Sequence, residues 1–170
     1  FQVIVSHSRK ILSVSPVATG STNDKTMATW DASIEEIMNG PLSEVPWEWV
    51  DSAGVTHESV GLYLICDGGY QRWKILIAPF KDQLEGSDME FWSKHIESLR
   101  KDVECLFGIL KKRFMFLKNS IRLHHMEDVE HVFRACCVLH NILLDWDGYD
   151  NWEEFVNTSK ESFMNVGRVA

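Results

Sequence analysis

Glu97-Ser-Leu-Arg-Lys-Asp-Val-Glu104-Cys-Leu-Phe-Gly108-Ile-Leu-Lys-Lys-Arg-Phe114 reads as one helix. Leu99, Val103, Leu106, Leu110, Phe114 and Leu117 recur at steps of three and four, which marks a face for burial. Glu104 lies off that stripe. Its helical neighbours are Arg100, Lys101, Gly108 and Lys111. One carboxylate thus stands on a basic, glycine-smoothed face that could hold a metal ion and approach a phosphate backbone. A solvated face with ion pairs one turn apart accounts for the same pattern.

The 170 residues amount to about one domain, enough to bury about 70% of the unfolded surface. A 45% hydrophobic content with seven tryptophans calls for a packed core and excludes a disordered chain. The net charge of −8 excludes a uniformly basic nucleic-acid binder. From Arg100 to Arg122, however, seven basic residues face two acids, whereas Asp145 to Glu154 holds five acids and no Lys or Arg. A basic groove on an acidic body is compatible with this. Cys66, Cys105, Cys136 and Cys137 form no CxxC pair and are expected as reduced core residues of an intracellular protein. No apolar run approaches membrane-spanning length, so no membrane partner is expected.

Along the chain, apolar runs at 1–5 and 10–15 predict a β-hairpin. The chain opens directly in a strand-like run, which suggests a partner strand lost upstream. Gly20-Ser-Thr-Asn-Asp24 supplies helix-start oxygens for a helix to about Met38, with Met27, Trp30, Ile34, Ile37 and Met38 inward and Asn39-Gly-Pro as its stop. Residues 45–60 predict a small hairpin turning at Asp51-Ser-Ala-Gly54. Gly61-Leu-Tyr-Leu-Ile-Cys66 predicts a central, doubly buried strand ending at Asp67-Gly-Gly-Tyr70, and Trp73 to Phe80 a short extended segment. Helices are expected at about 88–119 and 127–146, then an acidic tail over 147–170 with a short helix at 151–160. The order indicates a mixed α/β domain over 1–146, helices packed on a sheet.

Asp67, at a strand end before two glycines, stands where α/β sheets build sites, although an Asp-Gly turn explains it equally. Asp24 opens a helix, where acids are common. Carboxylates gathered from a strand end and a helix suit Mg²⁺ or Mn²⁺, and two such ions about 4 Å apart support phosphodiester cleavage. A competing zinc reading uses His131, Cys136 and His140, but that segment reads as an ordinary apolar helix. No nucleophile elbow and no phosphate-binding glycine loop occurs.

Four of these pieces, in order, resemble the PIF/Harbinger transposases with their DDE superfamily endonuclease domain. They are Gly20-Ser-Thr-Asn-Asp24, Leu64-Ile-Cys-Asp67-Gly-Gly-Tyr70, Val103 to Phe114, and Cys136-Cys-Val-Leu-His-Asn141. Order and spacing agree over about residues 1–145, and 36 residues separate Asp67 from Glu104, close to the DDE spacing. The resemblance implies an RNase H-like mixed sheet flanked by helices and metal-dependent DNA cleavage and strand transfer. Asp67 and Glu104 would be catalytic acids and Asp24, Asp67 and Glu104 the metal set for Mg²⁺ or Mn²⁺. Arg100, Lys101, Lys111, Lys112 and Arg113 are the candidates for DNA phosphates. It further implies a nuclear location and DNA reading upstream or on a separate partner protein. The sequence departs from the family where nothing like its first Asp-bearing strand precedes Phe1, where Pro-Gly-Ser is replaced by Thr19-Gly-Ser, and where the hairpin at 45–60 looks inserted. A domesticated, non-catalytic interaction protein is therefore the alternative.

Overall fold

The computed structural model describes residues 1–147 apart from Gln71, Gln83, Ser120 and Ile121. Strands β1 (Val3–Val5) and β2 (Ile11–Val14) form the expected antiparallel hairpin, Val3 opposite Val14. Its turn carries Arg9 at φ 65°. Helix α1 (Asp24–Trp30) starts where Asn23 accepts the Lys25 N–H, as the polar run predicts. The single helix expected to Met38 is instead broken at Asp31. The Asp31 carboxylate accepts the Ser33 N–H and so caps a second helix, α2 (Ala32–Asn39). Met27, Ile34 and Ile37 are buried as expected, whereas Trp30, at the end of α1, is 55% exposed.

A 3₁₀ turn (Pro41–Glu44) leads into β3 (Pro46–Val50) and β4 (Thr56–Val60), the small antiparallel hairpin. Asp51 accepts the Ala53 and Val55 N–H groups with one oxygen and contacts His57 Nε2 with the other at 2.9 Å. Gly61 follows at φ 88°, where a Cβ would stand 2.9 Å from the Ser43 carbonyl oxygen, so only glycine fits without strain. Strand β5 is confined to Leu64–Ile65 and pairs in parallel with β6 (Leu76–Ile77).

The long helix of the sequence reading is α3 (Asp88–Arg113), capped by the Ser87 hydroxyl. It stops at Arg113, six residues short of the expected end at 119: Phe114 adopts an extended conformation, and a short α4 (Met115–Lys118) follows. Helix α5 (Met126–Trp146) matches its predicted span closely. Among the described residues no helix is long and apolar enough to cross a membrane. The tail from residue 148, with the helix expected at 151–160, lies outside the described residues.

The architecture is mixed α/β, yet it differs from the single RNase H-like sheet that the resemblance implies. The described strands form three separate two-stranded ladders, β1–β2, β3–β4 and β5–β6. Two cores hold them. Ile11, Leu106, Leu110, Phe133 and Cys137 pack the hairpin on α3 and α5, joined by Phe1, which stacks on Phe133. Ala28, Ile34, Ile37, Ile75 and Leu76 pack α1 and α2 on β5–β6. Leu106 and Leu110 are the most deeply buried of the predicted stripe; Leu99, Val103, Phe114 and Leu117 are half-buried. Of the cysteines expected in the core, Cys136 and Cys137 are buried, but Cys66 is half-buried and Cys105 is exposed, because it lies on the turn of α3 away from the Leu106–Leu110 face.

The resembling run Cys136 to Asn141 acts on the hairpin. Asn141 accepts the Ile11 N–H at 2.9 Å and donates to the Ile11 carbonyl at 2.8 Å, and so pairs with the edge of β2 as a neighbouring strand would. His140 is fully buried. Its Nε2 meets the Arg9 carbonyl at 3.0 Å and its Nδ1 the Arg113 guanidinium at 3.4 Å.

Candidate metal centre

A cleft of about 660 Å³ opens between β1 and β5. The loop after β5 brings Asp67 to its rim, where Oδ1 accepts the Gly69 N–H at 2.7 Å. This is the Asp-Gly turn of the simpler reading, but the turn also aims a carboxylate at α1. A Cβ on Gly69 would lie 2.9 Å from Asp67 Oδ1 and 3.6 Å from Asp24 Oδ2. The two acids therefore border one small space that a side chain larger than glycine would fill. Among the described residues neither has an ion-pair partner.

Tyr70 closes the loop. Its hydroxyl accepts from Gln2 Nε2 at 2.9 Å, and the same amide donates to the Asp24 carbonyl at 3.1 Å. Burial pushes the Tyr70 phenol up to about 12, helped by the charges of Asp24, Asp67 and Cys66, while the Gln2 hydrogen bond opposes the shift. The hydroxyl is thus a proton-bearing group at neutral pH. Burial, then the Asp67 charge, pushes the Cys66 thiol up to about 11, which makes it a poor nucleophile.

Glu104 stands on the α3 wall of the same cleft. Its Oε1 meets Arg100 Nη2 at 2.9 Å, one turn away as the helical spacing predicts. Asp102, also lining the cleft, faces His7 Nδ1 at 3.4 Å and Arg9 Nε at 3.8 Å. Asp31 lines it too, buried at the start of α2. Asp24, Asp67 and Glu104 thus all line one cleft, Asp24 and Asp67 meeting at Gly69 and Glu104 on the α3 wall. Of the five phosphate candidates, Arg100 lines the cleft. Lys101, Lys111 and Lys112 are exposed on α3, and Arg113 faces α5, where it meets His140 and Asp147.

The donor set fits a hard divalent cation: carboxylate oxygens around a glycine-lined space, in a cleft whose acids outnumber its cations. Among the described residues, no three His, Cys, Asp or Glu side chains are grouped so that they could hold a metal ion, so Glu104 does not join Asp24 and Asp67 in one coordination set. The zinc reading loses its donors for a physical reason: His131 is exposed, whereas Cys136 and His140 are buried and His140 is engaged by Arg9 and Arg113.

Gln2, Tyr70, Asp31 and Asp102 carried no role in the sequence reading. Tyr70 adjoins the Asp67-Gly-Gly turn, a signal available in the sequence. Gln2 joins the site only through folding over a separation of 68 residues.

No curated protein and no solved structure matches the chain. The sequence profile described as DDE superfamily endonuclease matches residues 1–141, which takes in Asp24, Asp67, Glu104 and the His140-Asn141 pair. A match over that much of the chain establishes the family: the chain belongs to the DDE superfamily endonucleases, whose chemistry is that of nucleases and transposases.

Proposed function

We propose that this chain is the metal-dependent DNA-cleaving domain of a PIF/Harbinger-type transposase, spanning about 1–146 with the β3–β4 hairpin as an insertion. The observation that carries the reading is the meeting of Asp24 and Asp67 at Gly69, in a cleft that Glu104 also lines. A cleft lined by Asp24, Asp31, Asp67, Asp102 and Glu104 repels a phosphodiester unless cations stand between. Asp24 and Asp67 would hold Mg²⁺ or Mn²⁺ with Glu104 as the further ligand. Bound there, the metal supplies a Lewis acid and a water of lowered pKa.

The chain's own residues do the rest. Gly69 keeps the approach to both carboxylates open. Tyr70, protonated and tied by Gln2, offers a hydroxyl beside the acids and fixes the loop that carries Asp67. Arg100 holds Glu104 in its rotamer, and its charge is available to a phosphate when Glu104 turns to a metal. Lys101, Lys111 and Lys112 extend a basic track along α3 for neighbouring phosphates. DNA is the substrate, the location nuclear, and sequence reading falls to another segment or a separate partner protein.

The test is nicking of supercoiled plasmid with Mg²⁺ or Mn²⁺. Any nicking by the chain should be abolished in Asp67→Asn; nicking of equal rate in the variant contradicts the assignment. Two observations favour the second reading, a domesticated interaction protein: Glu104 is already paired with Arg100, and among the described residues no three His, Cys, Asp or Glu side chains could hold a metal ion. That reading predicts no metal-dependent nicking in any variant.

A further inference from the structure

We propose that the outer face of α5 is a self-association surface. A second copy of the chain packs its own α5 against it, antiparallel, with Trp146 of each copy seated over Ala135 of the other. The inference rests on α5 alone and stands whether or not the chain cleaves DNA.

Helix α5 is apolar on both sides. Phe133, Cys136, Cys137, His140 and Leu144 are buried, on the side that meets β2 and α3. Val138, Leu139, Ile142, Leu143 and Trp146 lie on the other side and are exposed, Trp146 by 87%. Exposed Ala135 stands among them, and together they run over about three turns. The two acidic or basic residues between 134 and 146 are turned aside, Arg134 to Glu130 and Asp145 to Lys10. A surface helix carries a polar outer face, whereas a helix apolar all round is a buried one. The exposed side chains offer roughly 600 Å², as much as the largest apolar patch of an ordinary monomer.

The spacing names the occupant. Ala135, Leu139, Ile142 and Trp146 recur at steps of four, three and four, which is the seam of a two-helix coiled coil. Val138 and Leu143 flank it. The seam matches itself when turned end for end about a point between His140 and Asn141. Trp146 then falls opposite Ala135, and Ile142 opposite Leu139. The largest side chain meets the smallest and two of middle size meet each other, so every layer is filled alike. A parallel pair would set Trp146 on Trp146 and Ala135 on Ala135, one layer overfilled and the other hollow. The antiparallel contact is the same patch on both chains and closes at two. Two copies would bury about 1,200 Å², the lower bound for a specific interface, so association at micromolar concentration is expected.

Sedimentation equilibrium on the full 170-residue chain tests this. The native chain should pass from monomer to dimer between about 1 and about 200 μM. Ala135→Trp sets a bulky ring against Trp146, and Trp146→Ala hollows the same layer. Each should raise the dimer Kd by about tenfold or more. The swap Ala135→Trp/Trp146→Ala restores large against small and should return the Kd to within about threefold of the native value. A native chain that stays monomeric overturns the proposal; the segment after residue 147 or another protein then covers the face. A mass that rises beyond the dimer, an unchanged Kd in Ala135→Trp, or a swap no tighter than the single variants also overturns it. Far-UV circular dichroism verifies that each variant is folded. If Ala135→Trp is not, Leu139→Lys and Ile142→Glu decide. Each alone should be monomeric and their equimolar mixture dimeric, since one layer then joins opposite charges and the other is native. A mixture that stays monomeric refutes the antiparallel register.

Discussion

Gln2 Nε2 reaches both the Tyr70 hydroxyl at 2.9 Å and the Asp24 carbonyl at 3.1 Å, so one side chain ahead of β1 ties the loop after β5 to the first residue of α1. The tie matters because the two elements it joins carry the two acids that meet at Gly69. Tyr70→Phe removes the acceptor and leaves half of the tie. A loss of about 1 kcal/mol in urea unfolding is expected, with weaker Mn²⁺ binding. Unchanged values for both would mean that the loop is held by other contacts.

The Tyr70 phenol titrates late. Its folded value, about 12, lies above the ordinary value of 10.0. The folded state thus holds this proton more tightly than the unfolded state. The associated stability is complete below pH 10 and is lost as pH rises from 10 through 12. The difference in phenolate absorbance between the chain and Tyr70→Phe isolates this residue from the other two tyrosines. In Asp67→Asn the transition should move down, since one of the charges that raise it is gone.

His140 has the opposite dependence. Burial, chiefly, holds its imidazole below the ordinary 6.5, and the neighbouring Arg113 adds to the effect. Protonation is then easier in the unfolded chain, so the stability is present above pH 6.5 and is lost as pH falls through the folded value. His140→Gln keeps hydrogen-bonding atoms without the titration. Its unfolding midpoint should fall less steeply between pH 7 and 5 than that of the native chain; parallel curves would show that His140 does not titrate in this range.

Asn141→Leu leaves both main-chain groups of Ile11 without their side-chain partner. A cost of about 2–4 kcal/mol is expected from two buried groups left unpaired. Equilibrium denaturation measures it. A loss under about 0.5 kcal/mol would mean that solvent reaches the edge of β2 and replaces the amide.

Gly69→Ala tests the space itself. A methyl group 2.9 Å from Asp67 Oδ1 and 3.6 Å from Asp24 Oδ2 forces the Asp67 carboxylate away. Mn²⁺ affinity should drop by about tenfold or more, in the range of losses caused by misdirecting metal ligands. Gly20→Ala, where a Cβ has nothing within 4 Å, serves as the control and should bind as the native chain does.

Much of this was legible in the sequence because it is local. The Asn23 cap, the Asp51 turn, the Leu106–Leu110 stripe and the Arg100–Glu104 pair all follow from steps of two to four residues along the chain. The break at Asp31 also had a local signal, an Asp two residues before Ser33, but it lay inside a periodic apolar pattern that read through it. The size of β5 was not legible. An apolar run at 61–66 specifies a buried segment, yet whether it pairs on both edges depends on strands from elsewhere. Three ladders in place of one sheet is a tertiary outcome of that kind. At the site, Asp67 at a strand end and Glu104 on a basic helix face stood out, but a turn and a solvated ion pair explained them as well, and only the family resemblance singled them out. The bond between Gln2 and Tyr70 could not be read, since a glutamine in a strand-like run carries no sign of the partner 68 residues away.

The central claim is that the cleft binds a divalent metal through its carboxylates. Mn²⁺ titration by calorimetry, on the native chain and on the Asp67→Asn/Glu104→Gln double variant, tests it most directly, with circular dichroism to verify that both are folded. Saturable binding in the native chain that disappears in the folded double variant is the predicted result. Equal affinity in the two proteins, or no saturable binding in the native chain, would contradict it.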